Sequence, residues 1–370
     1  MKYYIIAGEA SGDLHASNLM KAIVQEDEHA EFRFWGGDLM QNVSGTLVKH
    51  YKELSFMGFT EVIMNLRTIL NNIKFCKQDI LQYQPDVLIL VDYPGFNMRI
   101  AEFAKQKNIS VHYYISPQIW AWKENRIKKI KRNVDQMYVI LPFEKDFYEK
   151  KHDFPVHFVG HPLLDAIADR KKVNVEKFCS ENNLNEKPII ALLPGSRKQE
   201  ITKMLSIMLK MVDKFPEYQF VIAGAPGQDL KFYRQFIHND NVAIVENRTY
   251  DLLSVSNAAL VTSGTATLET ALFKVPEVVC YKGSSISYQI GKRLVKNIKY
   301  ISLVNLILDR EVVTELIQDD FNEKNLEDEL FKILDHKKRE KMFDDYYELE
   351  QKLGGIGASD NTAKLIIKNS

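Results

Sequence analysis

The chain has 370 residues, of which 45% are hydrophobic and 26% are charged. This length allows two domains with separate cores, and the composition excludes a disordered protein. The 49 basic and 49 acidic residues cancel, which argues against nucleic acid as a partner. Three scattered cysteines and the lack of a signal sequence or a spanning apolar run predict a cytosolic protein with free thiols.

The first half contains short, continuous apolar runs of the kind that form buried parallel strands. These runs begin at Tyr3, Val87, Val111, Met137 and Val156. Polar, helix-forming stretches separate them. The alternation of strands and helices predicts an α/β domain with a doubly wound parallel sheet.

A second series of apolar runs follows a polar stretch over residues 165–187. Its members begin at Ile189, Phe220, Val242, Ala258 and Val278. We therefore expect one domain over residues 1–165, a second over 166–340 and a helical tail over 341–370. Within this tail, Ala358–Lys368 is predicted to be a last helix that docks on the first domain or on a second subunit.

The turn after the first strand, GEASGD from Gly8, places glycines and polar residues where a strand leads into a helix. Such turns present backbone N–H groups at the carboxyl edge of a sheet, where anions bind. The turn lacks the dinucleotide and Walker patterns, so NAD and nucleoside triphosphates are not expected. Glu9, Ser11, Asp13 and His15 supply polar groups at this edge.

Asp92 ends the apolar run that begins at Val87 and precedes Tyr93-Pro94-Gly95, a turn that cannot continue the sheet. A carboxylate at this edge can act as a general base toward an attacking hydroxyl group. The alternative is that Asp92 only caps the following helix.

Two turns in the second half indicate a nucleoside diphosphate site. Ser196 and Arg197 open one helix, where a guanidinium group can bind a diphosphate bidentately. Gly264 and Thr265 open another, and Glu269 follows where it can accept the two hydroxyl groups of a ribose. Each turn taken alone is equally compatible with a helix cap, and their pairing favours the ligand site.

Two stretches of the first half depart from an ordinary solvated surface. The amphipathic segment Phe56–Phe75 is either a core helix or a surface that contacts acyl chains or a membrane. We assign this contact to Met57, Phe59, Val62, Leu66 and Ile69. The segment Trp120–Asn133 sets tryptophans beside Lys128, Lys129 and Lys131, which suits an anionic lipid surface or a phosphate. The alternative is an ordinary solvated helix face.

Seven segments of the chain form a specific set. They are AGEASGDLHA from Ala7, DYPGFN from Asp92, YISPQIWAWKENRIKKI from Tyr114, LPFEKDFY from Leu141, FVGHPLLD from Phe158, LLPGSRKQEI from Leu192 and SGTATLETAL from Ser263. Together they resemble the lipid-A-disaccharide synthase family, whose members are inverting glycosyltransferases of the GT-B class. The resemblance implies two Rossmann-like domains facing across a cleft, with C-terminal helices that cross back.

The resemblance also implies a reaction. UDP-2,3-diacylglucosamine donates its sugar to 2,3-diacylglucosamine 1-phosphate (lipid X), which yields a β-1,6-linked disaccharide 1-phosphate and UDP. Asp92 matches the essential aspartate of the family. The predicted nucleotide site comprises Ser196, Arg197, Gly264, Thr265 and Glu269, and the acceptor side comprises Glu9, Ser11, His15, Asn97 and His161. We expect neither a metal nor a cofactor, because Arg197 and two helix N-termini can stabilise the leaving UDP.

The family pattern often reads DAPDFN, whereas this chain has Tyr93 and Gly95 at the second and fourth positions. The first aspartate is retained as Asp92, and Gly95 removes any role for the second. The lipid substrates imply peripheral binding to anionic lipid at the cytoplasmic face of the inner membrane, and a homodimer is left open. The alternatives are a transferase acting on a polyprenyl-linked acceptor, a UDP-sugar epimerase and a non-enzymatic UDP-sugar sensor.

Overall fold

The computed structural model describes residues 1–54, 66–225, 228–283 and 299–370. The chain divides into two compact units. The first unit contains Met1–Arg170 and Leu353–Ser370, and the second contains Lys171–Lys352. Each is built on a parallel sheet with helices between the strands, which confirms the predicted α/β class.

Among the described residues, the first unit has a seven-stranded sheet in the order β3-β2-β1-β4-β5-β6-β7, and every neighbouring pair is parallel. Its strands are β1 Lys2–Ala7, β2 Glu31–Gly36, β3 Thr46–His50, β4 Val87–Val91, β5 Ser110–Tyr114, β6 Gln136–Val139 and β7 His157–Phe158. Strands β2 and β3 were not predicted, because charged residues interrupt their apolar runs. In β2, Arg33 is neutralised by Asp79, to which its Nε donates a hydrogen bond of 2.8 Å.

Helices cover both faces of the first sheet. They are α1 Ala10–Glu26, α2 Asp38–Gln41, α3 Leu66–Tyr83, α4 Pro94–Gln106, α5 Ile127–Asn133, α6 Pro142–Asp146 and α7 Pro162–Ala168, joined later by the tail helix. Alternate residues of β1 enter opposite cores: Tyr3 and Ile5 pack with α1, whereas Tyr4 and Ile6 pack with α3 and α4. Short turns of 3₁₀ helix occur at Tyr51–Glu53 and Glu124–Arg126, and a π-helical turn occurs at Phe147–Lys151.

Among the described residues, the second unit has a six-stranded parallel sheet in the order β10-β9-β8-β11-β12-β13. Its strands are β8 Ile189–Leu193, β9 Gln219–Gly224, β10 Val242–Glu246, β11 Ser256–Thr262, β12 Glu277–Tyr281 and β13 Glu315–Ile317. Its helices are α8 Val175–Glu181, α9 Lys198–Met208, α10 Leu230–Arg234, α11 Thr249–Val255, α12 Thr265–Leu272, α13 Leu303–Leu308, α14 Glu323–Leu334 and α15 His336–Lys352, with a 3₁₀ turn at Leu209–Met211. The three-residue strand β13 was too short to be recognised in the sequence.

The tail forms α16, Ala358–Lys368, which is the predicted last helix, and it packs on α1 of the first unit. Its residues Ala363 and Ile366 are fully buried in the core there. The Asp165 carboxylate accepts hydrogen bonds from the N–H groups of Gly357 (2.7 Å) and Ser359 (2.8 Å) at the start of α16. A negative charge in this position satisfies otherwise unpaired donors and stabilises the docked helix.

The expected domain boundaries need correction. The first division falls after Arg170 rather than after residue 165, and the second falls after Lys352 rather than after residue 340. The reason is that α15 packs within the second unit, where Lys274 donates a hydrogen bond of 3.0 Å to the Tyr346 carbonyl and Tyr346 is fully buried. None of the described helices is both long enough and apolar enough to cross a bilayer.

Candidate active site

Asp92 lies on a turn with an unusual backbone, directly after β4. Asp92 (φ 45°) and Tyr93 (φ 49°) are both in the left-handed region, which non-glycine residues rarely adopt. Three hydrogen bonds hold the turn: the Asp92 N–H donates to the Tyr114 carbonyl (3.0 Å), and the Asp92 carbonyl accepts from the Tyr113 hydroxyl (2.6 Å) and the Asn97 amide (2.8 Å). The turn therefore presents the Asp92 carboxyl group in a defined position.

The environment of Asp92 favours its protonated form. Burial and, to a smaller extent, the nearby charge of Glu9 raise the pKa of its carboxyl group from 3.8 to about 6. A hydrogen bond from the Tyr93 N–H partly opposes this rise. Tyr93 rather than Asp92 occupies the N-cap of α4, and within the described residues no side chain caps that helix. Asp92 thus has the pKa of a group that can accept a proton near neutral pH.

Tyr93 links the Asp92 turn to the GEASGD loop. Its ring lies so close to Gly8 that a Cβ atom there would be 2.3 Å from Cδ1 of the ring. The Tyr93 hydroxyl donates a long hydrogen bond of 3.4 Å to the Leu54 carbonyl. Gly8 is therefore required by a close approach between two loops, which the sequence alone did not reveal.

The predicted acceptor residues fall into two groups. Glu9 and Ser11 are exposed at the start of α1. Asn97, in contrast, is fully buried beneath the Asp92 turn, where its amide donates to the Val91 and Asp92 carbonyls (3.2 and 2.8 Å). The expectation that Asn97 lines the acceptor side is corrected accordingly, because its side chain supports the turn from below.

Asp13 was expected among the polar groups at the carboxyl edge of the first sheet, but its side chain binds backbone groups instead. Its side chain is buried and its carboxylate accepts from the N–H groups of Gly37 (2.7 Å), Leu39 (3.1 Å) and Met40 (3.1 Å). Asp13 therefore satisfies backbone donors after β2 and at the start of α2.

His15 and His161 lie near each other in the first unit. Burial lowers the pKa of His15 to about 4. Burial also lowers the pKa of His161, to about 3, and the neighbouring His15 adds to this effect. Nδ1 of His161 accepts from the Leu163 N–H (3.2 Å), and the backbone N–H of His161 donates to the Leu353 carbonyl (3.0 Å). His161 thus caps α7 and joins it to the returning tail, while His15 Nδ1 is buried with no hydrogen-bond partner among the described residues.

The predicted nucleotide-site residues of the second unit follow two neighbouring strands at one edge of its sheet. Strands β8 and β11 are parallel neighbours, so the turns that follow them, residues 194–197 and 263–265, lie side by side. Arg197 and Gly264 occupy the N-caps of α9 and α12, and in the described part of the chain no side chain caps either helix. Ser196, Arg197, Gly264 and Thr265 are all exposed. This edge therefore carries an arginine and two helix N-termini, which are groups that favour the binding of an anion.

Two contacts of the Ser196 turn were not predicted. The Ser196 N–H donates to the Glu200 carboxylate (3.2 Å), and the Gln228 amide donates to the Ser196 carbonyl (3.1 Å). Gly195 has a φ of 101°, and a Cβ atom there would be 2.3 Å from Oε2 of Glu200. No capping box is formed here, because the N-cap is Arg197, but a glutamate in the first turn of a helix commonly accepts from nearby backbone N–H groups, and this signal could have indicated Glu200.

Glu269 is held by a partner that the sequence did not indicate. The Tyr250 hydroxyl, from α11, donates a hydrogen bond of 2.8 Å to Oε1 of Glu269 in α12. Burial raises the pKa of Glu269, and this hydrogen bond opposes the rise. A cavity of about 310 Å³ opens beside Tyr250 and is lined by residues 247–251.

No group of three or more His, Cys, Asp or Glu that could hold a metal occurs in the described residues.

The predicted membrane surface is described in part. Met57, Phe59 and Val62 lie outside the described residues. In α3, Leu66 is 49% exposed, whereas Ile69 is half-buried against the core. The described part of this segment therefore supplies both a core-packing side and exposed apolar side chains.

The basic segment has one apolar and one charged side. Ile127 and Ile130 are buried, while Lys128, Lys129 and Lys131 are exposed. Just before α5, Trp122 is 49% exposed, with Nζ of Lys123 4.1 Å from its ring centroid. This arrangement places an aromatic ring and several cations on one stretch of surface.

Comparison with known proteins gives the family. A family model described as lipid-A-disaccharide synthetase matches residues 3–366. The chain belongs to the lipid-A-disaccharide synthase family. A lipid-A-disaccharide synthase from Coxiella burnetii (strain CbuG_Q212) is 36% identical over 368 residues, covering 98% of this chain and 96% of the relative. One from Syntrophus aciditrophicus is 37% identical over 373 residues, with the same coverage.

Solved structures support the fold class. A UDP-GlcNAc 2-epimerase from Neisseria meningitidis bound to UDP-GlcNAc has a TM-score of 0.66 at 13% identity, covering 100% of this chain and 99% of that one. The glycotransferase of kitacinnamycin has a TM-score of 0.68 at 10% identity, with coverages of 100% and 98%. These likenesses show the GT-B fold, and the family membership makes the chain a glycosyltransferase of lipid A biosynthesis, which confirms the resemblance noted in its sequence.

Proposed function

We propose that the protein transfers the sugar of UDP-2,3-diacylglucosamine to the 6-hydroxyl group of 2,3-diacylglucosamine 1-phosphate (lipid X), with inversion at the anomeric carbon. The products are the β-1,6-linked lipid A disaccharide 1-phosphate and UDP. Family membership supports the reaction class. The observation that carries the mechanism is the Asp92 carboxyl group, held on a rigid turn with its pKa raised to about 6.

Asp92 acts as the general base. The acceptor oxygen attacks C1 of the donor sugar as its proton passes to the Asp92 carboxylate, and the bond from C1 to the UDP oxygen breaks with its electron pair on UDP. A base whose pKa lies near the working pH is both ionised and sufficiently basic for this transfer. One displacement inverts C1, and no covalent intermediate with the protein is required.

The second unit binds the nucleotide. Arg197 and the N–H groups at the starts of α9 and α12 stabilise the diphosphate as its negative charge grows. Ser196, Gly264 and Thr265 shape these turns, and Glu269 accepts the hydroxyl groups of the ribose. These groups supply positive potential at the leaving oxygen, so we propose that transfer needs no metal ion and no cofactor.

The acceptor binds beside Asp92, where Glu9 and Ser11 are exposed. Burial keeps His15 and His161 neutral. His15, whose Nδ1 has no partner among the described residues, is the better candidate for an acceptor contact, because His161 already caps α7.

The protein works at the cytoplasmic face of the inner membrane, where its lipid substrates lie. The exposed Lys128, Lys129 and Lys131 attract anionic lipid, and Leu66 adds apolar contact. Reversal of the three lysine charges should reduce sedimentation with anionic vesicles and leave binding to UDP unchanged. Unaltered sedimentation contradicts this membrane surface. The homodimer left open by the sequence is tested separately by light scattering.

One assay tests the reaction. Purified protein is incubated with both acylated glucosamines, with and without EDTA, and the disaccharide and UDP are quantified. We expect equal yields in both conditions, loss of transfer in Asp92→Asn with UDP binding retained, and weak UDP binding in Arg197→Ala. Epimerised UDP-sugar in place of disaccharide would favour an epimerase, and full transfer by Asp92→Asn would remove the proposed base.

A further inference from the structure

Glu269 lies in a position that is unfavourable for an ionised carboxylate. It belongs to α12, one turn after the exposed Thr265, and burial raises its pKa. A carboxylate that must accept two hydroxyl groups of a ligand has to be charged and correctly oriented when the ligand arrives. The protein therefore needs a second group that keeps Glu269 ionised and fixes its rotamer.

The Tyr250 hydroxyl is placed to do this. It donates to Oε1 of Glu269 at 2.8 Å, and Oε2 takes no part in that bond. A hydrogen bond to one oxygen of a carboxylate stabilises the charged form and restricts rotation of the group. The remaining oxygen is then presented in one direction.

The Tyr250 ring is itself held in place. It packs against Phe273 at the end of α12, with ring centroids 5.3 Å apart. The start of α11 is pinned by Arg248, whose Nε donates to Asp251 (2.7 Å) and whose NH1 donates to Glu181 (2.7 Å). Arg248 also lies over the Phe178 ring at 4.7 Å. These contacts hold the Tyr250 hydroxyl in one position, so the Glu269 carboxylate is oriented before a ligand binds.

We propose that Tyr250 is a positioning residue that makes the nucleotide site selective for ribose over 2′-deoxyribose by orienting the Glu269 carboxylate. This inference rests on the proposed nucleotide site. A cavity of about 310 Å³ lined in part by Tyr250 leaves room for a ligand group next to this residue. Tyr250 touches Glu269 rather than the reacting atoms, so it governs recognition of the donor and not the proton transfer at Asp92.

The test compares UDP with 2′-deoxy-UDP by calorimetry on the full chain. Tyr250→Phe keeps the ring and removes the donor, so it should weaken UDP binding by roughly ten- to a hundredfold, the range for loss of a hydrogen bond to a charged group. Binding of 2′-deoxy-UDP should change much less, and the preference for ribose should shrink. Tyr347→Phe, which removes a hydroxyl group from a tyrosine that is 59% exposed in the same unit, is the matched control and should bind both nucleotides normally.

A merely structural role for Tyr250 predicts a different pattern. It would weaken both nucleotides equally, and this result would overturn the inference. In a double-mutant cycle, Tyr250→Phe should add little to Glu269→Gln, because both remove the same oriented carboxylate. Full additivity contradicts the proposed coupling.

The same measurements separate this inference from the proposed function. If Arg197→Ala and Glu269→Gln weaken UDP binding but Tyr250→Phe does not, the nucleotide site stands and the role of Tyr250 is wrong. If none of the three variants changes UDP binding, the nucleotide site itself is wrong and the inference is overturned with it. Preserved thermal unfolding of each variant shows that the comparison concerns folded protein.

Discussion

Substitution of Glu9 by glutamine tests the electrostatics of the proposed base. Glu9 is exposed at the start of α1, and its charge is the second cause, after burial, of the rise in the pKa of Asp92. Removing that charge should lower the pKa of Asp92. Because Asp92 must be ionised to accept a proton, the acidic limb of the kcat/KM profile should move to lower pH.

The structure limits the size of this shift. The pKa of Asp92 rises from 3.8 to about 6, and burial contributes more than Glu9 does. The charge of Glu9 is therefore the smaller of the two raising effects, and its removal should shift the pKa by on the order of one unit, or about 1.4 kcal/mol. Since Glu9 is exposed, salt should screen part of the effect, and the profiles of the two proteins should approach each other as ionic strength rises.

The assay is disaccharide formation between pH 4.5 and pH 8.5, measured at low and at high salt. Glu28→Gln, which removes an exposed charge from the loop after α1, is the matched control and should leave the limb in place. If the acidic limb of the kcat/KM profile does not move in Glu9→Gln, or moves to higher pH, the charge of Glu9 does not raise the pKa of Asp92.

Three further predictions concern stability and loop packing. The folded-state pKa of Asp92 is raised, so its contribution to stability is complete below pH 3.8 and is lost as the pH rises through about 6. Asp92→Asn should therefore raise the free energy of unfolding at pH 8 by about 3 kcal/mol, seen as a higher melting temperature, and should leave it unchanged at pH 3.5. Asp165→Ala removes the acceptor of the Gly357 and Ser359 N–H groups, so the free energy of unfolding measured in urea should fall by about 2 kcal/mol and proteolysis of the tail should be faster. The control Asp169→Ala should leave both unchanged. Gly8→Ala forces a methyl group into the Tyr93 ring, so kcat should fall while UDP binding is retained; an unchanged kcat would show that the two loops separate without effect on Asp92.

Much of the architecture followed from local patterns. Continuous apolar runs located the buried strands, since a strand covered on both faces needs no polar alternation. The same criterion missed β2, β3 and β13, because edge strands and strands with paired charges carry polar residues. Helix Ala358–Lys368 was correctly placed by the glycines that precede it, while the assignment of α15 to the second unit depended on side chains far away in the chain.

The local sequence determined the type of each turn: an Asp after a buried strand, a Gly-Ser-Arg turn, a Gly-Thr turn with a later Glu, and the motifs that identify the family. Only the tertiary structure decided which polar groups are available. In the folded protein, Asn97 and Asp13 are buried and form hydrogen bonds with backbone groups, and His161 caps α7. Tyr250 donates a hydrogen bond to Glu269, and the Tyr93 ring lies against Gly8. The physical reason is that burial and hydrogen bonding between distant segments set the pKa and orientation of a side chain, and no short stretch of sequence contains those partners.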